Sequence, residues 1–267
     1  MIRNTWHRIL FLGLSIMLIS SVLACVSCST PTTQPSQVEQ VTPPPYTSSE
    51  PTSSSTTPLE AEPSMPSSGL IYEDDFSNPD TGFGGANSAD YAAAYENGEY
   101  HITVNTPNFT AWGLNTEVGP LKDFALEIDA RLISGYVLNS YGVIFRAADN
   151  NNFYSFIVTA YGGYRIEKML DGKWSLLTIT KESPKIPNLT TKLLKKESGN
   201  TNRLKVVCKG AKIDVYANDS LLTTIMNESF TSGYVGVIVT AGESPLEGTT
   251  KSNTHVAFDN LKVYRHE

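Results

Sequence analysis

Residues 203–226 decide the fold class of this chain, and they read RLKVVCKGAKIDVYANDSLLTTIM. Every second residue is apolar in the LKVVC segment and again in the IDVYA segment. Asn218-Asp219 then breaks the pattern with two residues that tolerate the positive φ of a tight hairpin turn. A period of two turns one face of a strand to a core and the other to solvent. The stretch therefore predicts antiparallel strands joined by hairpins.

The same pattern extends to both sides of this stretch. Apolar and charged residues alternate without a break in LEIDARL, residues 126–132. Asn97-Gly98, Gly162-Gly163 and Asp171-Gly172 separate further runs where hairpins need a turn. About a dozen short strands without βαβ spacing predict an all-β domain, a two-sheet antiparallel β-sandwich of the jelly-roll kind.

The last predicted strand carries an irregularity. Val256 and Phe258 share one parity, whereas Leu261 and Val263 take the other. Because one extra residue restores the alternation, the sequence predicts a β-bulge at Asp259-Asn260.

The composition of the chain changes at residue 69. The 267 residues carry a formal net charge of −7, and Ser29–Ser68 contains 27 Ser, Thr or Pro among its 40 residues. That segment buries too little apolar surface to offset its ordering entropy, so we expect an extended tether; the alternative is a Pro-rich recognition peptide. The acidic balance without a basic cluster argues against nucleic-acid binding. Three Cys are too few for a disulfide-stapled scaffold.

The N-terminus has the pattern of a secretion signal. Arg3 and Arg8 precede the apolar run ILFLGLSIMLISSVLA, residues 9–24. This run is shorter than the roughly 20 residues of a membrane-spanning helix. Cys25 follows in the context VLAC, which resembles the bacterial lipobox and implies acylation of that cysteine. The alternative is a cleaved secretory signal in which Cys25 is incidental.

The chain thus divides into three parts by sequence. We expect a lipoprotein signal peptide (1–24), a lipid-anchored linker (25–68) and a folded β-sandwich (69–267). This arrangement predicts a protein of the bacterial cell envelope, on its extracytoplasmic surface, that reaches the membrane only through its lipid anchor.

Several motifs of the folded part stand in a familiar order. They are YEDDF, YGVIFRAADNNNFYSF, GGYRIEKMLDGKW, GAKIDVYANDSLL, GYVGVIV and VAFDNLKVY, and together they span Leu70–Tyr264. In this order they resemble concanavalin A-like lectin/glucanase domains, in particular the laminin-G-like and 3-keto-disaccharide-hydrolase-like branch of bacterial secreted proteins. The resemblance implies a concanavalin A-like jelly roll. That fold carries lectins, carbohydrate-binding modules, glycosidases and adhesion domains, so fold alone does not choose the function.

One pair of carboxylates deserves a test for catalysis. Glu127 and Asp129 lie two apart and project from the same face of a strand. Jelly-roll glucanases use a similar Glu-aliphatic-Asp motif with a second Glu, but here Leu132 takes that position and Arg131 precedes it. We therefore expect no glucanase-type catalysis; the alternative role of the pair is charge pairing on an exposed strand face.

Aromatic and planar polar residues gather on neighbouring predicted strands. A sugar site needs an aromatic platform beside amide or guanidinium partners, and this region holds both. The alternative is that the aromatic residues fill the sandwich core. The candidate ligand-binding residues are Trp112, Tyr141, Arg146, Asn152, Tyr154, Tyr164 and Trp174.

The resemblance also implies a structural calcium that links the chain ends. Asp74, Asp75 and Asp259 would converge if the first and last strands are neighbours, and carboxylate oxygens suit Ca²⁺. The alternative is that Asp75 and Asp259 accept hydrogen bonds at strand ends. We expect no other cofactor.

The sequence thus predicts a surface lipoprotein whose β-sandwich binds carbohydrate, or another extracellular glycan, without catalysis. One alternative is a glycoside hydrolase or a 3-keto-disaccharide-hydrolase-like enzyme. The other is a structural or adhesion domain with a protein partner. Cys208 is expected in the core, because it lies on the apolar parity of its strand.

Overall fold

The structure of the protein is a computed structural model, and it describes residues 69–178, 189–242 and 253–266. These residues form sixteen strands and no helix. The predicted signal peptide, the linker and the lipidation candidate Cys25 lie outside the described residues. Within the described ranges no helix has the length and apolar character needed to cross a membrane.

The strands are mostly short and follow one another at hairpin spacing. In chain order they are β1 (Leu70–Asp74), β2 (Ala86–Asn87), β3 (Tyr91–Glu96), β4 (Glu99–Val104), β5 (Phe109–Asn115), β6 (Phe124–Ser134), β7 (Ser140–Asp149), β8 (Asn152–Thr159), β9 (Gly163–Leu170), β10 (Lys173–Leu176), β11 (Leu189–Thr190), β12 (Asn202–Lys209), β13 (Lys212–Ala217), β14 (Ser220–Met226), β15 (Tyr234–Ala241) and β16 (Thr254–Arg265).

The strands form two antiparallel sheets. The nine-stranded sheet has the order β14-β13-β12-β6-β16-β4-β3-β2, and β1 also pairs with β16. The seven-stranded sheet has the order β10-β9-β8-β7-β15-β5, and β11 pairs with β9. The predicted two-sheet antiparallel β-sandwich is confirmed, and the first and last strands are neighbours.

The core lies between the two sheets and follows the predicted alternation. On β6, Leu126 and Ile128 are at most 1% exposed, whereas Glu127 lies on the opposite face. The two apolar side chains belong to one buried cluster with Val143 and Phe156 of the seven-stranded sheet. Since burying one such side chain contributes about 1.5–3 kcal/mol, this cluster is the main source of stability. Cys208 is also fully buried there, as predicted.

The turns and the bulge also agree with the sequence. Asn97, Asp171 and Asn218 have φ values of 53°, 50° and 49°, and each begins the predicted hairpin turn. The register of β16 against β6 shifts between Asp259 and Lys262, so the predicted bulge is confirmed. These positions accept Asn and Asp because their short polar side chains tolerate the left-handed region.

The middle strands of the seven-stranded sheet are buried on both faces. Residues of one parity, such as Val143 and Phe156, face the core between the sheets. Residues of the other parity, such as Ile144 and Ile157, form a second apolar cluster with Trp112. The middle strands of this sheet therefore have an apolar outer face, unlike the charged outer face of the nine-stranded sheet.

Candidate functional site

The structure places the seven predicted ligand-binding residues in different parts of the domain, some in the core and some on the outer face of a sheet. Tyr141, Tyr154 and Tyr164 point into the core between the sheets and are 1%, 0% and 8% exposed. The Tyr154 hydroxyl donates to Asn227 Oδ1 at 2.6 Å and accepts from the Phe230 backbone N–H at 3.1 Å. Burial raises the pKa of Tyr141 to about 12. Assigning these three tyrosines to a ligand surface was wrong, because they are core residues.

Arg146 is a structural clamp. Its backbone has φ 49° at a register shift in β7, which turns the side chain inward, and the residue is 0% exposed. Nε and Nη2 donate to Lys122 O at 3.2 and 2.8 Å, and Nη1 donates to Phe230 O at 3.2 Å. Asp123 Oδ1 lies 3.5 Å from Nη2. The predicted ligand role is wrong for this residue too, since its donors hold two loops together.

Asn152 stabilises a pair of hairpins. Its Nδ2 donates to both carboxylate oxygens of Asp149 at 3.0 Å, and its Oδ1 accepts from the Asp171 backbone N–H at 3.0 Å. Both groups of the carboxamide thus have partners within the protein. This arrangement gives Asn152 a local structural role at the β7–β8 and β9–β10 turns.

Trp112 and Trp174 lie together on the outer face of the seven-stranded sheet. Phe153 joins them: its ring centroid lies 5.8 Å from that of Trp112 and 5.5 Å from that of Trp174. Tyr234 packs against the same cluster from β15. We call this surface the aromatic face and define it by Trp112, Phe153, Ser155, Trp174 and Tyr234.

The aromatic rings reach toward one another across the sheet. Trp112 on β5 and Phe153 on β8 are separated by β15 and β7, so their strands lie about 14 Å apart at the usual strand spacing. Glycines occupy this face of the two intervening strands, Gly142 and Gly236, and a Cβ at either would clash with a backbone oxygen. The rings therefore approach each other above sheet backbone that carries no side chain at these two positions.

The aromatic face holds buried polar atoms without partners. The indole N–H groups of Trp112 and Trp174 and the Ser155 hydroxyl make no hydrogen bond. Trp112 and Ser155 are 2% and 0% exposed, whereas Trp174 and Tyr234 are half-buried. A buried unsatisfied polar group costs about 1–3 kcal/mol and calls for an explanation. Three such groups lie on this one face, and none of the three atoms is exposed to solvent.

One ion pair lies beside these rings. Arg165 and Glu167 share the outer face of β9, and Arg165 Nε lies 2.7 Å from Glu167 Oε1. Arg165 Nη2 also donates to Ser140 Oγ on β7 at 3.3 Å. The sequence prediction did not include this pair. The signal was that Arg165 and Glu167 share one parity of β9 with Met169, which lies opposite Trp174.

The outer face of the nine-stranded sheet is polar and contains an open pocket. The pocket has a volume of about 230 Å³. Arg131 donates to both oxygens of Glu99 at 2.5 and 2.6 Å. Asn260 Nδ2 donates to Asp129 Oδ2 and Asp259 Oδ2 at 3.2 and 3.1 Å. The polar residues that line it are Glu99, Asp129, Arg131, Thr201, Asp259 and Asn260.

The carboxylates of this pocket are not equivalent. Burial, assisted by the nearby Glu99, Asp129 and Asp75 carboxylates, raises the pKa of Asp259 above its ordinary value. Asp129 instead lies 3.2 Å from the Arg203 guanidinium, which is a cation partner. Of the three carboxylates in the pocket, Glu99 and Asp129 thus each have an arginine partner, whereas Asp259 has none within the described contacts.

The weak catalytic candidates lie on this polar face, away from Trp112 and Trp174. Glu127 Oε1 is 3.4 Å from Lys205 Nζ, and Asp129 is paired with Arg203. Each carboxylate therefore has its own cation, as the charge-pairing alternative predicts. The pair and the two indoles lie on the outer faces of different sheets.

The three predicted calcium ligands do not form a ligand set. Asp74 is 3% exposed and accepts from the Phe76 backbone N–H at 2.8 Å. Asp75 accepts from the Ser77 backbone N–H at 3.0 Å and from its hydroxyl at 2.6 Å. Among the described residues no group of three or more His, Cys, Asp or Glu side chains is arranged to hold a metal ion. The residues present do not fit the calcium that the resemblance implied.

Two histidines distant in sequence meet on the same polar face. His101 Nδ1 and His255 Nε2 are 2.7 Å apart, so one ring donates a hydrogen bond to the other. Burial, together with His101, lowers the pKa of His255. No spacing in the sequence indicated this pair, because β4 and β16 are joined only by the sheet.

Comparison with known proteins identifies the fold but not a family. No family model matches the chain, and no curated protein matches it. The solved structure of carbohydrate-binding module CBM66 from Bacillus subtilis is similar, with 18% identity, a TM-score of 0.50, and coverage of 69% of this chain and 96% of that one.

Two further solved structures are similar to the same degree. LamAcat from Zobellia galactanivorans has 10% identity, a TM-score of 0.50, and coverage of 74% of this chain and 98% of that one. A GlcNAcα1-4Gal-releasing endo-β-galactosidase from Clostridium perfringens has 9% identity, a TM-score of 0.50, and coverage of 74% and 64%. At such identities the likeness shows the fold alone, a jelly-roll β-sandwich.

Proposed function

We propose that this protein binds carbohydrate on the aromatic face without catalysing a reaction, and that a lipid anchor holds it at the bacterial cell surface. One observation carries the proposal. The two indole N–H groups and the Ser155 hydroxyl are buried without partners, among aromatic rings, on one face of one sheet. A sugar would pack its apolar C–H face against the half-buried rings of Trp174 and Tyr234. Its hydroxyl groups would pair with the three buried atoms once those rings move aside.

The half-buried residues of the face give the ligand its point of entry. Trp174 and Tyr234 retain exposed ring surface, whereas Trp112 and Phe153 support them from within the cluster. A site that is mostly apolar, with few polar groups in it, is the usual composition of a small-molecule site. The name of the similar Bacillus subtilis module, a carbohydrate-binding module, agrees with this assignment.

The enzyme alternative has less support from the arrangement of the residues. A glycosidase needs a general acid and either a nucleophile or a general base, and the two groups flank the scissile bond. Glu127 and Asp129 lie on the other sheet, each with a cation partner, and not beside the indoles. For a glycoside hydrolase or a 3-keto-disaccharide hydrolase we expect turnover that disappears in Glu127→Gln or Asp129→Asn. For the binding protein we expect no turnover to begin with.

Glycan titration tests the proposed site. Trp174→Ala and Tyr234→Ala each remove a ring that the ligand reaches, and we expect about a tenfold weaker Kd, which corresponds to about 1.4 kcal/mol. Tyr264→Ala is the matched control, since this half-buried tyrosine lies on the nine-stranded sheet. A folded protein that binds no glycan across a broad panel would exclude the proposal and favour the adhesion alternative.

The lipid anchor requires its own experiment. The predicted acylation site is Cys25, and Cys28 provides a control three residues away. Metabolic labelling with a palmitate analogue should mark the wild type and Cys28→Ser, and should fail in Cys25→Ser. Labelling that persists in Cys25→Ser would contradict the lipobox assignment.

A further inference from the structure

The charged groups of the aromatic face form one compact pair. Arg165 lies opposite Ile157 and Glu167 lies opposite Ser155 on the adjacent strand β8. Ile157 belongs to the outer apolar cluster, and Ser155 carries the unpartnered hydroxyl. The ion pair is therefore part of the same surface as the rings.

The pair is hydrogen-bonded and largely shielded from solvent. Arg165 and Glu167 side chains are each 19% exposed, with 2.7 Å between Nε and Oε1. The guanidinium extends over β8 to Ser140 on β7, a residue that is 4% exposed. Charges in such surroundings are screened less by salt than exposed ones, so their balance influences any ligand that binds there.

The charges on this face balance to zero. Away from the hairpin ends, the charged side chains that the described strands carry on this face are Arg165 and Glu167. Glu167 offsets the charge of the guanidinium and repels an approaching carboxylate or sulfate. Neutral hydroxyl groups meet no such penalty.

We infer that the aromatic face selects neutral glycans over anionic ones, and that Glu167 determines this selectivity. The inference rests on the proposed carbohydrate-binding function and adds the class of ligand to it. Glu167 acts as a specificity-determining residue because its removal raises the charge of the face by one unit, whatever else Arg165 contacts.

The test compares matched glycans on the full chain. The probes are neutral gluco-, galacto- and manno-tetrasaccharides, each beside the tetrasaccharide in which C6 is oxidised to a uronate. Wild type should bind at least one neutral form about tenfold or more tightly than its uronate. Glu167→Gln should gain about tenfold or more in uronate affinity, the effect of one hydrogen bond to a charged group. This gain should decrease at high salt.

Two further variants identify the source of the gain. Arg165→Gln combined with Glu167→Gln should lose the gain, because the guanidinium is absent. Glu99→Gln is the matched control, since it opens a similar ion pair, with Arg131, on the other sheet. It should leave both affinities unchanged. Thermal unfolding of each variant confirms that the fold persists.

The outcomes separate this inference from the proposed function. A wild type that binds uronates as tightly as neutral forms overturns the selectivity and leaves carbohydrate binding intact. A folded Glu167→Gln that keeps its neutral ligand without gaining uronate affinity also overturns the selectivity alone. A double variant that retains the gain has the same consequence. A wild type that binds neither class overturns the proposed function and the inference with it.

Discussion

Replacing Arg146 with Ala tests whether this buried arginine is a clamp. The side chain is 0% exposed and makes three hydrogen bonds, two to Lys122 O and one to Phe230 O. Each bond from a charged donor contributes about 1.5–3 kcal/mol. Arg146→Ala also removes the cost of burying the guanidinium, roughly several kcal/mol, and this offsets part of the lost hydrogen-bond energy.

The expected net loss is about 3–5 kcal/mol, the range found when one partner of a buried charged network is removed. In a domain of this size each kcal/mol shifts Tm by about 2–4 °C. We therefore expect Tm to fall by about 6–20 °C. Arg146→Lys should lie between wild type and Arg146→Ala, because it keeps the charge but cannot reach both carbonyls with a planar fork.

Denaturant and thermal unfolding, followed by tryptophan fluorescence, measure the loss. Arg203→Ala is the control: its side chain is 48% exposed and pairs with Asp129 at the surface. It should cost at most about 1 kcal/mol. An Arg146→Ala protein that is no less stable than Arg203→Ala would show that Arg146 is not a clamp. So would an Arg146→Ala protein that keeps its Tm and loses glycan binding, since that result belongs to a ligand contact.

Three other predictions follow from single residues. Asn260 has φ 53° at the bulge, so Asn260→Ala should cost about 1–2 kcal/mol and Asn260→Gly much less, as chemical unfolding will measure. The raised pKa of Asp259 means that the folded state holds its proton more tightly than the unfolded state does, so its contribution to stability falls as pH rises from the unfolded pKa to the folded one. Asp259→Asn should therefore raise Tm at pH 7 and change it little at pH 3; an equal change at both values contradicts this sign. Burial raises the pKa of Cys208 to about 12, so iodoacetamide should label it only after unfolding, and rapid labelling of the native protein would show that the core is open.

The strand pattern carried most of the fold prediction, because hairpins depend on local chemistry. Positive φ at Asn97 and Asn218, and the bulge beside Asp259, are visible in the residue types alone. Alternation in β6 also settled which of its faces is buried, since one parity is apolar and the other charged. These are interactions between residues near one another in the chain.

The site was harder to predict for a definite reason. Both parities of β7 and β8 are apolar or aromatic, so alternation cannot tell which of Phe153 and Tyr154 faces the core. The structure places Tyr154 inside and Phe153 outside, with Trp112. Arg146 misled the prediction further, because a bulge reverses the direction of a side chain without changing the composition of the strand.

Residue types alone were enough to predict antiparallel strands in the part of the chain that the structure describes, the turns between several of them and the bulge in the last one. The folded arrangement of the strands was needed to see that Asp129 meets Asp259 in one pocket and that the indoles lie on the other sheet. The reason is physical. Turns and alternation depend on backbone preferences within a few residues, whereas a site depends on which strands become neighbours and on which face of a doubly buried sheet turns outward.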